Sequence, residues 1–469
     1  MLGPRELLNF VSSRSENNLV IDKVYRLLYK RELYTYAYNN LLSMSKRFKI
    51  PGNVLEDFIS DTISKMRYER FYFDSPNAVI VEELLSVILY SIFKSRISSC
   101  NSVTEALRSV AAHSQACEFF ICGNLDFSGI SNNVFRNICP GILEDNRLLE
   151  LLRRFFVSPG FGSDLWEVDE FSGSYRGGTL SPTIAECVMS RLDVFIGDSF
   201  SPKFNRGERR PLSKEYDSIR KKVNSLIARK KKRGLSDDEH KELVNLRNRQ
   251  FSIPSKEKLG NCDYRRFSYT RFHEQFIISF AGTKSEALEI AEMIREFVSG
   301  EIGVALSLSV HSSRDRKDPA FFLGYNLMNQ WDNAKRKNGA RVLTGQTALL
   351  IPHRKVTDFC RDFMQNRKPV HTSFLINQDV DSIVKYYQSR FERIRGYYKF
   401  AGNQHKLAKL KWAMEVSLVK TLSSKLRISC NKVYKKFSRY TNINGSPLKV
   451  IVTPNGNYFG AHLVREKIR

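Results

Sequence analysis

Tyr269-Thr-Arg-Phe-His-Glu-Gln-Phe-Ile-Ile-Ser-Phe-Ala-Gly282 sets two aromatic and β-branched arms around a short polar tip. Such a pattern predicts a strand, a tight turn and a second strand. At the tip stand His273, Glu274 and Gln275. A site that holds paired divalent cations for phosphoryl or nucleotidyl transfer needs carboxylates there, against the charge that develops in the reaction. Glu274 supplies one carboxylate, and Gln275 is an uncharged amide.

Outward from this hairpin, further elements come into view. Phe119 to Phe127 reads as a central strand ending on Asp126. Residues 173–182, Gly-Ser-Tyr-Arg-Gly-Gly-Thr-Leu-Ser-Pro, form a glycine-rich turn leading into an apolar helix over 183–195, with Pro182 suited to a first helical turn. After Thr283 comes an amphipathic helix whose stripe is Ala287, Ile290, Ala291, Ile294, Phe297 and Val298, closed by Gly300 and Gly303. The run 304–310 then alternates as a half-buried strand should. Residues 1–70 are helical in pattern, with a new helix after Gly52, and 79–93 reads as a buried helix. Beyond about residue 345 the pattern is helical, until the tail 448–464 folds around Pro454-Asn455-Gly456-Asn457 as a closing hairpin. The fold class is therefore α/β (α+β), with a helical second half.

Charge narrows the function. Lys and Arg number 75 against 49 Asp and Glu, a net +26 in 469 residues. Such an excess attracts polyanions, nucleic acid first and an anionic membrane surface second. No run approaches the roughly 18 apolar residues of a membrane span. The eight cysteines, Cys100, Cys117, Cys122, Cys139, Cys187, Cys262, Cys360 and Cys430, form no CxxC pair, so buried thiols in a reducing compartment are expected instead of zinc or disulfides. The amino terminus carries Glu6 early and lacks a signal or transit pattern.

Two segments concentrate the charge. Between Lys214 and Arg233 nine basic residues face Glu215 and Asp217, with Arg229, Lys230, Lys231, Lys232 and Arg233 at the end before Gly234. A charged helical hairpin over 201–262 is expected, either a solvated face or a nucleic-acid contact. Residues 385–440 hold fifteen Lys or Arg against Glu392 and Glu415. Leu407, Leu410, Met414, Leu418 and Leu422 would form the apolar stripe of a helix over 405–427. Lys406, Lys409, Lys420 and Arg427 would form a cationic face opposite, laid on phosphates. Arg390, Arg393 and Lys399 upstream, and Lys432, Lys435 and Lys436 downstream, extend the basic set. Tyr386, Tyr387, Tyr397, Tyr398 and Phe400 are interleaved as core residues or as stacking platforms for unpaired bases.

In this order the blocks resemble the reverse-transcriptase-and-maturase proteins encoded inside group II introns. The family's opening strand motif corresponds to Asp126-Phe127-Ser128-Gly129-Ile130-Ser131-Asn132-Asn133-Val134, with Asn132 where a second Asp is expected. Its Gly-x-Pro-Gln-Gly-x-x-Leu-Ser-Pro segment corresponds to 173–182, with Arg176 for Gln. Its Tyr-Ala-Asp-Asp box corresponds to Phe272-His273-Glu274-Gln275. Thr283-Lys-Ser-Glu-Ala-Leu-Glu-Ile-Ala, Phe322-Leu323-Gly324-Tyr325, and the stretch 379–437 with Arg395-Gly396-Tyr397-Tyr398 look like later blocks, the last like the maturase segment called domain X. Similarity is weakest over 71–118, where the Arg-Pro-Leu finger motif is not recognisable.

The resemblance implies right-hand polymerase-like fingers over 1–118 and a palm over 119–340 with the basic insertion 201–262. A helical thumb and maturase domain over 341–445 and a hairpin tail over 446–469 would follow. It implies a splicing factor that binds structured intron RNA in precursor mRNA, with Asp126, Glu274 and Gln275 vestigial and catalysis lost. Asp126 is then expected as a core residue satisfied by backbone donors. No resident cofactor or metal is implied, Mg²⁺ belonging to the intron RNA. The expected partners are that RNA and further splicing proteins, with no membrane and no endonuclease module. A plastid is the expected compartment, with an organelle-encoded gene, and a mitochondrion is the alternative. Residual RNA-directed DNA synthesis and a basic ribonucleoprotein scaffold are the competing functions.

Overall fold

The computed structural model describes residues 3–16, 21–44, 50–67, 77–127, 143–157, 180–330, 336–337, 340–341, 345–443, 445–463 and 466. The glycine-rich turn over 173–179 and the opening motif beyond Phe127 lie outside these. The chain divides into two compact units, Met1–Ser313 with Trp331–Gly345, and Arg314–Gln330 with Gln346–Arg469.

The first unit is built on one antiparallel sheet. Its strands are β1 (Phe119–Asp126), β2 (Arg266–Phe272), β3 (Gln275–Ala281) and β4 (Ala305–Ser312), in the order β2-β3-β1-β4. β1 is central, as its apolar run requires. Gly123 in β1 pairs with Phe276, and a Cβ at residue 123 would stand 2.1 Å from that ring, so only glycine lets the strands close. β4 lies at the edge with exposed residues along it.

Helices cover the sheet: α1 (Pro4–Glu16), α2 (Arg31–Met44), α3 (Gly52–Arg67), α4 (Asn77–Phe93), α5 (Val103–His113), α6 (Asn146–Val157) and α7 (Leu180–Phe204). α4 is apolar almost all round and packs against α1, α2 and α7, as a helix without a polar face must. α7 begins at Leu180 and runs nine residues past the expected 195. Helix α10 (Lys284–Phe297) starts at a reciprocal cap: Thr283 Oγ1 accepts from the Glu286 amide, and the Glu286 carboxylate accepts from the Thr283 amide. Of its predicted stripe Ala287, Ile290, Ala291, Ile294 and Val298 are buried and Phe297 is half-buried, and Gly303 at φ 74° turns the chain into β4.

Between α7 and β2 the charged hairpin forms as expected, from α8 (Lys214–Arg233) and α9 (Asp237–Ser252) with Gly234 as the cap between them. Ile219, Val223, Leu226 and Leu243 give it a small core of its own.

The second unit holds the sheet β5 (Ala320–Phe322), β6 (Tyr325–Gln330) and β7 (Gln346–Leu350), then α11 (His353–Arg361), α12 (Val380–Tyr397), α13 (Leu407–Leu426) and α14 (Cys430–Phe437). A second sheet closes it, ordered β8 (Ser438–Ile443), β9 (Ser446–Val452) and β10 (Tyr458–Phe459). The tail hairpin therefore has a further strand before it. Tyr387 explains much of the rigidity here: its buried hydroxyl meets Thr372, Ser417 and Thr421, which ties α12 to α13. Asn403 likewise accepts from the Ile351 amide at 2.7 Å and donates to the Ile351 carbonyl at 3.0 Å.

Candidate nucleic-acid interface

The β2–β3 hairpin turns at His273 and Glu274, with Phe272 paired to Gln275. His273 takes φ 52°, the positive value that a two-residue hairpin turn demands at its first position. The Leu125 amide donates to the Glu274 carbonyl at 3.1 Å, which draws the tip of this hairpin beside the end of β1. Asp126 and Glu274 consequently line one cavity of about 430 Å³, together with Asn124, Leu125, Phe127, Ala305, Leu306 and Ser307. Gln275 does not line it.

One expectation needs correction. Asp126 is exposed, not a core residue, because strand side chains alternate. Leu125 and Phe127 take the buried face, and Asn124 and Asp126 the other.

Beneath the hairpin lies a polar network that the sequence reading missed. Arg271 is wholly buried. Its Nε and Nη2 donate to the two carboxylate oxygens of Asp193 at 2.9 and 2.7 Å, and its Nη1 donates to Glu186 at 2.8 Å and to the His273 carbonyl at 2.9 Å. The Tyr269 hydroxyl donates to Asp193 at 2.7 Å, and His273 Nδ1 lies 3.1 Å from Glu186. The Ser98 amide also donates to Asp193. A guanidinium out of water is costly unless its fork is matched, and here two carboxylates and a carbonyl match it.

Titration in this network follows its contacts. Burial works against ionisation of Arg271, but Asp193 and Glu186 outweigh it and hold the guanidinium charged. Burial, then Asp193, pushes the Tyr269 hydroxyl well above its ordinary range, so it stays a donor. For Glu186 burial alone would raise the carboxyl; His273 and Arg271 overcome it and hold it below the usual carboxylate range. A carboxylate depressed in the folded state adds stability above its unfolded value, and that contribution is lost as pH falls through the folded one. Below about pH 4.3, the ordinary glutamate value, wild-type unfolding free energy should fall more steeply than that of Glu186→Gln. Parallel curves from urea titrations at pH 3 to 6 would contradict this.

The signal for the network was present in α7. Glu186 and Asp193 stand seven residues apart, on one stripe of a helix whose neighbouring residues are mostly apolar. Tyr269 and Arg271 share one face of β2.

The predicted basic residues separate into two kinds. On α8, Arg229 and Arg233 are ion-paired with Glu239, at 3.5 and 3.0 Å, while Lys230, Lys231 and Lys232 are exposed at the helix carboxyl end. In the second unit Arg390 pairs with Asp362, and Lys399 with Glu466 at 3.5 Å. Arg393, Lys406 and Lys409 are exposed, as are Lys432, Lys435 and Lys436 on α14. Arg427 is exposed at the left-handed cap of α13.

The cationic face expected on the helix 405–427 departs at one residue: Lys406, Lys409 and Arg427 are exposed, and Lys420 is not. The apolar stripe is fully buried as predicted. Lys420 is half-buried, and its ammonium donates to the Pro369 carbonyl at 2.7 Å. Lys411 and Lys425 similarly reach the carbonyls of Ala461 and Ile376. Their stems cross apolar surface to reach backbone acceptors. Tyr387, Tyr398 and Phe400 are buried, so these three serve the core and not stacking.

Comparison with known proteins places this geometry. The type II intron maturase family matches residues 348–461, which lie within the second unit. The group II intron-encoded protein LtrA of Lactococcus lactis subsp. cremoris is 25% identical over 513 aligned residues, covering 97% of this chain and 83% of that protein. The COX1/OXI3 intron 2 protein of Saccharomyces cerevisiae is 21% identical over 462 aligned residues, covering 91% of this chain and 50% of that protein. The expected α/β organisation with a largely helical carboxyl-terminal region is the one this chain adopts. Residues 348–461 thus form a type II intron maturase domain, and the chain is homologous, through nearly its whole length, to the group II intron-encoded protein LtrA.

Proposed function

We propose that this chain is an RNA-binding maturase that helps a group II, or group II-derived, intron reach its folded, self-splicing form, and that it does not copy RNA. The observation that carries the reading is the pairing of a maturase domain with a strongly basic, acid-poor sequence over 385–440. Such a surface neutralises phosphates and favours whichever RNA conformation offers them in register. The RNA then supplies the transesterification chemistry and its Mg²⁺.

The palm supports the loss of copying. Asp126 and Glu274 share a cavity, but the third expected carboxylate is the Gln275 amide, which does not line it. This donor set does not fit a pair of divalent cations. Meanwhile the hairpin is braced from below by Arg271, which donates to the His273 carbonyl. We place the protein in an organelle, a plastid before a mitochondrion, with intron RNA and further splicing proteins as partners. Crosslinking the protein in its organelle and sequencing the attached RNA tests this: one or a few intron species are expected, and broad ribosomal RNA would overturn it.

A further inference from the structure

The β8–β9 hairpin carries a feature that charge alone does not explain. Tyr440 is 78% exposed, the most exposed large hydrophobic side chain among the described residues. It stands on β8, an edge strand, directly across from Lys449. Cross-strand partners share a face, so Tyr440, Asn442 and Lys449 point the same way. The Lys449 ammonium lies over the Tyr434 ring, 6.0 Å from its centroid. Arg439 precedes the tyrosine, and the exposed Lys432, Lys435 and Lys436 lie on α14, which packs on both strands.

No Asp or Glu occurs between Glu415 and Glu466. The nearer of these, Glu415, is engaged by the Tyr434 hydroxyl. Lys and Arg along an edge strand would suffice to block edge-to-edge pairing. They leave unexplained a large aromatic ring held out in water on a paired strand, with Lys449 on the same face and lysines on the adjoining helix. That combination is what an unpaired nucleotide requires: a flat apolar surface for the base, and ammonium groups for the flanking phosphates. A duplex cannot use it, because its bases are already stacked.

We propose that the β8–β9 hairpin is a binding site for single-stranded RNA, with Tyr440 stacking on one unpaired base and Lys449 and the α14 lysines holding the backbone. The proposal rests on the reading of the chain as an RNA binder and adds the class of RNA taken at this place. None of these residues is buried, so substitution leaves the fold intact, and circular dichroism checks this.

The experiment uses the full chain with a 16-nucleotide RNA carrying one 2-aminopurine, alone and annealed to its complement. Tyr440→Ala should weaken binding of the single strand about 5- to 150-fold. Tyr440→Phe should bind within about twofold of wild type, because stacking needs the ring and not the hydroxyl. The salt slope should be unchanged in Tyr440→Ala, and it should fall by about 0.7 in Lys449→Ala. Quenching of 2-aminopurine should disappear with the ring. Equal weakening for strand and duplex, or an unchanged affinity in Tyr440→Ala, overturns the proposal and leaves the patch to a protein partner. Wild-type protein that binds neither RNA overturns the RNA-binding reading itself.

Discussion

Replacing Arg271 by alanine is expected to destabilise the first unit by about 3–5 kcal/mol. The side chain is wholly buried, and its removal leaves Asp193, Glu186 and the His273 carbonyl without their shared donor. Two carboxylates would then sit out of water without a counter-ion, and the hairpin turn would lose the group that fixes its carbonyl. Arg271→Lys should recover only part of the loss, because an ammonium cannot reproduce the two parallel bonds to Asp193. Removing all three charges together, with Arg271→Met, Asp193→Leu and Glu186→Leu, should cost less than Arg271→Ala alone, since no ion remains unpaired. Urea unfolding followed by circular dichroism measures all three variants. A midpoint for Arg271→Ala equivalent to less than about 1 kcal/mol of destabilisation would show that the network is incidental.

The second large effect concerns the RNA. Lys432, Lys435 and Lys436 are exposed on α14, whose sequence contains no acidic residue. Reversing all three to glutamate should weaken intron binding on the order of a hundredfold or more. It should also lower the slope of log affinity against log salt by about two to three units, since each phosphate contact contributes roughly 0.7 to 0.9. The same three changes leave the buried residues Val433 and Phe437 untouched, so the unit should keep its fold. Lys420 makes a useful contrast. Its ammonium is committed to the Pro369 carbonyl, so Lys420→Glu should act mainly through stability. Filter binding across a range of salt concentrations, with melting curves alongside, separates the two. An unchanged salt slope in the α14 variant would remove this helix from the interface.

Much of the first unit was legible because its signals are local. The strand, turn and strand over 269–282 and the stripe of Ala287, Ile290, Ala291 and Ile294 are each set by residues close together in the chain. The Asp126–Glu274 neighbourhood was legible for another reason, the match of two motifs to one known site. What escaped was set by distant partners. Arg271 looked like one more basic residue, because Asp193 and Glu186 stand 78 and 85 residues away. The helix over 407–426 looked two-faced because its spacing is two-faced. The segments that meet Lys411, Lys420 and Lys425, near Ala461, Pro369 and Ile376, come from elsewhere in the chain. Asp126 was misplaced for a simpler cause: a strand end has two sides, and the last residue of β1 takes the open one.

Loss of copying with retention of the RNA grip is the claim on which the functional account stands, and primer extension tests it most directly. The full chain is given an annealed RNA template and DNA primer, all four deoxynucleotides, and Mg²⁺ or Mn²⁺, with Asp126→Ala beside it. No extension by either protein is predicted, together with equal binding of intron RNA by both. Template-dependent extension by wild type that Asp126→Ala abolishes would contradict the account.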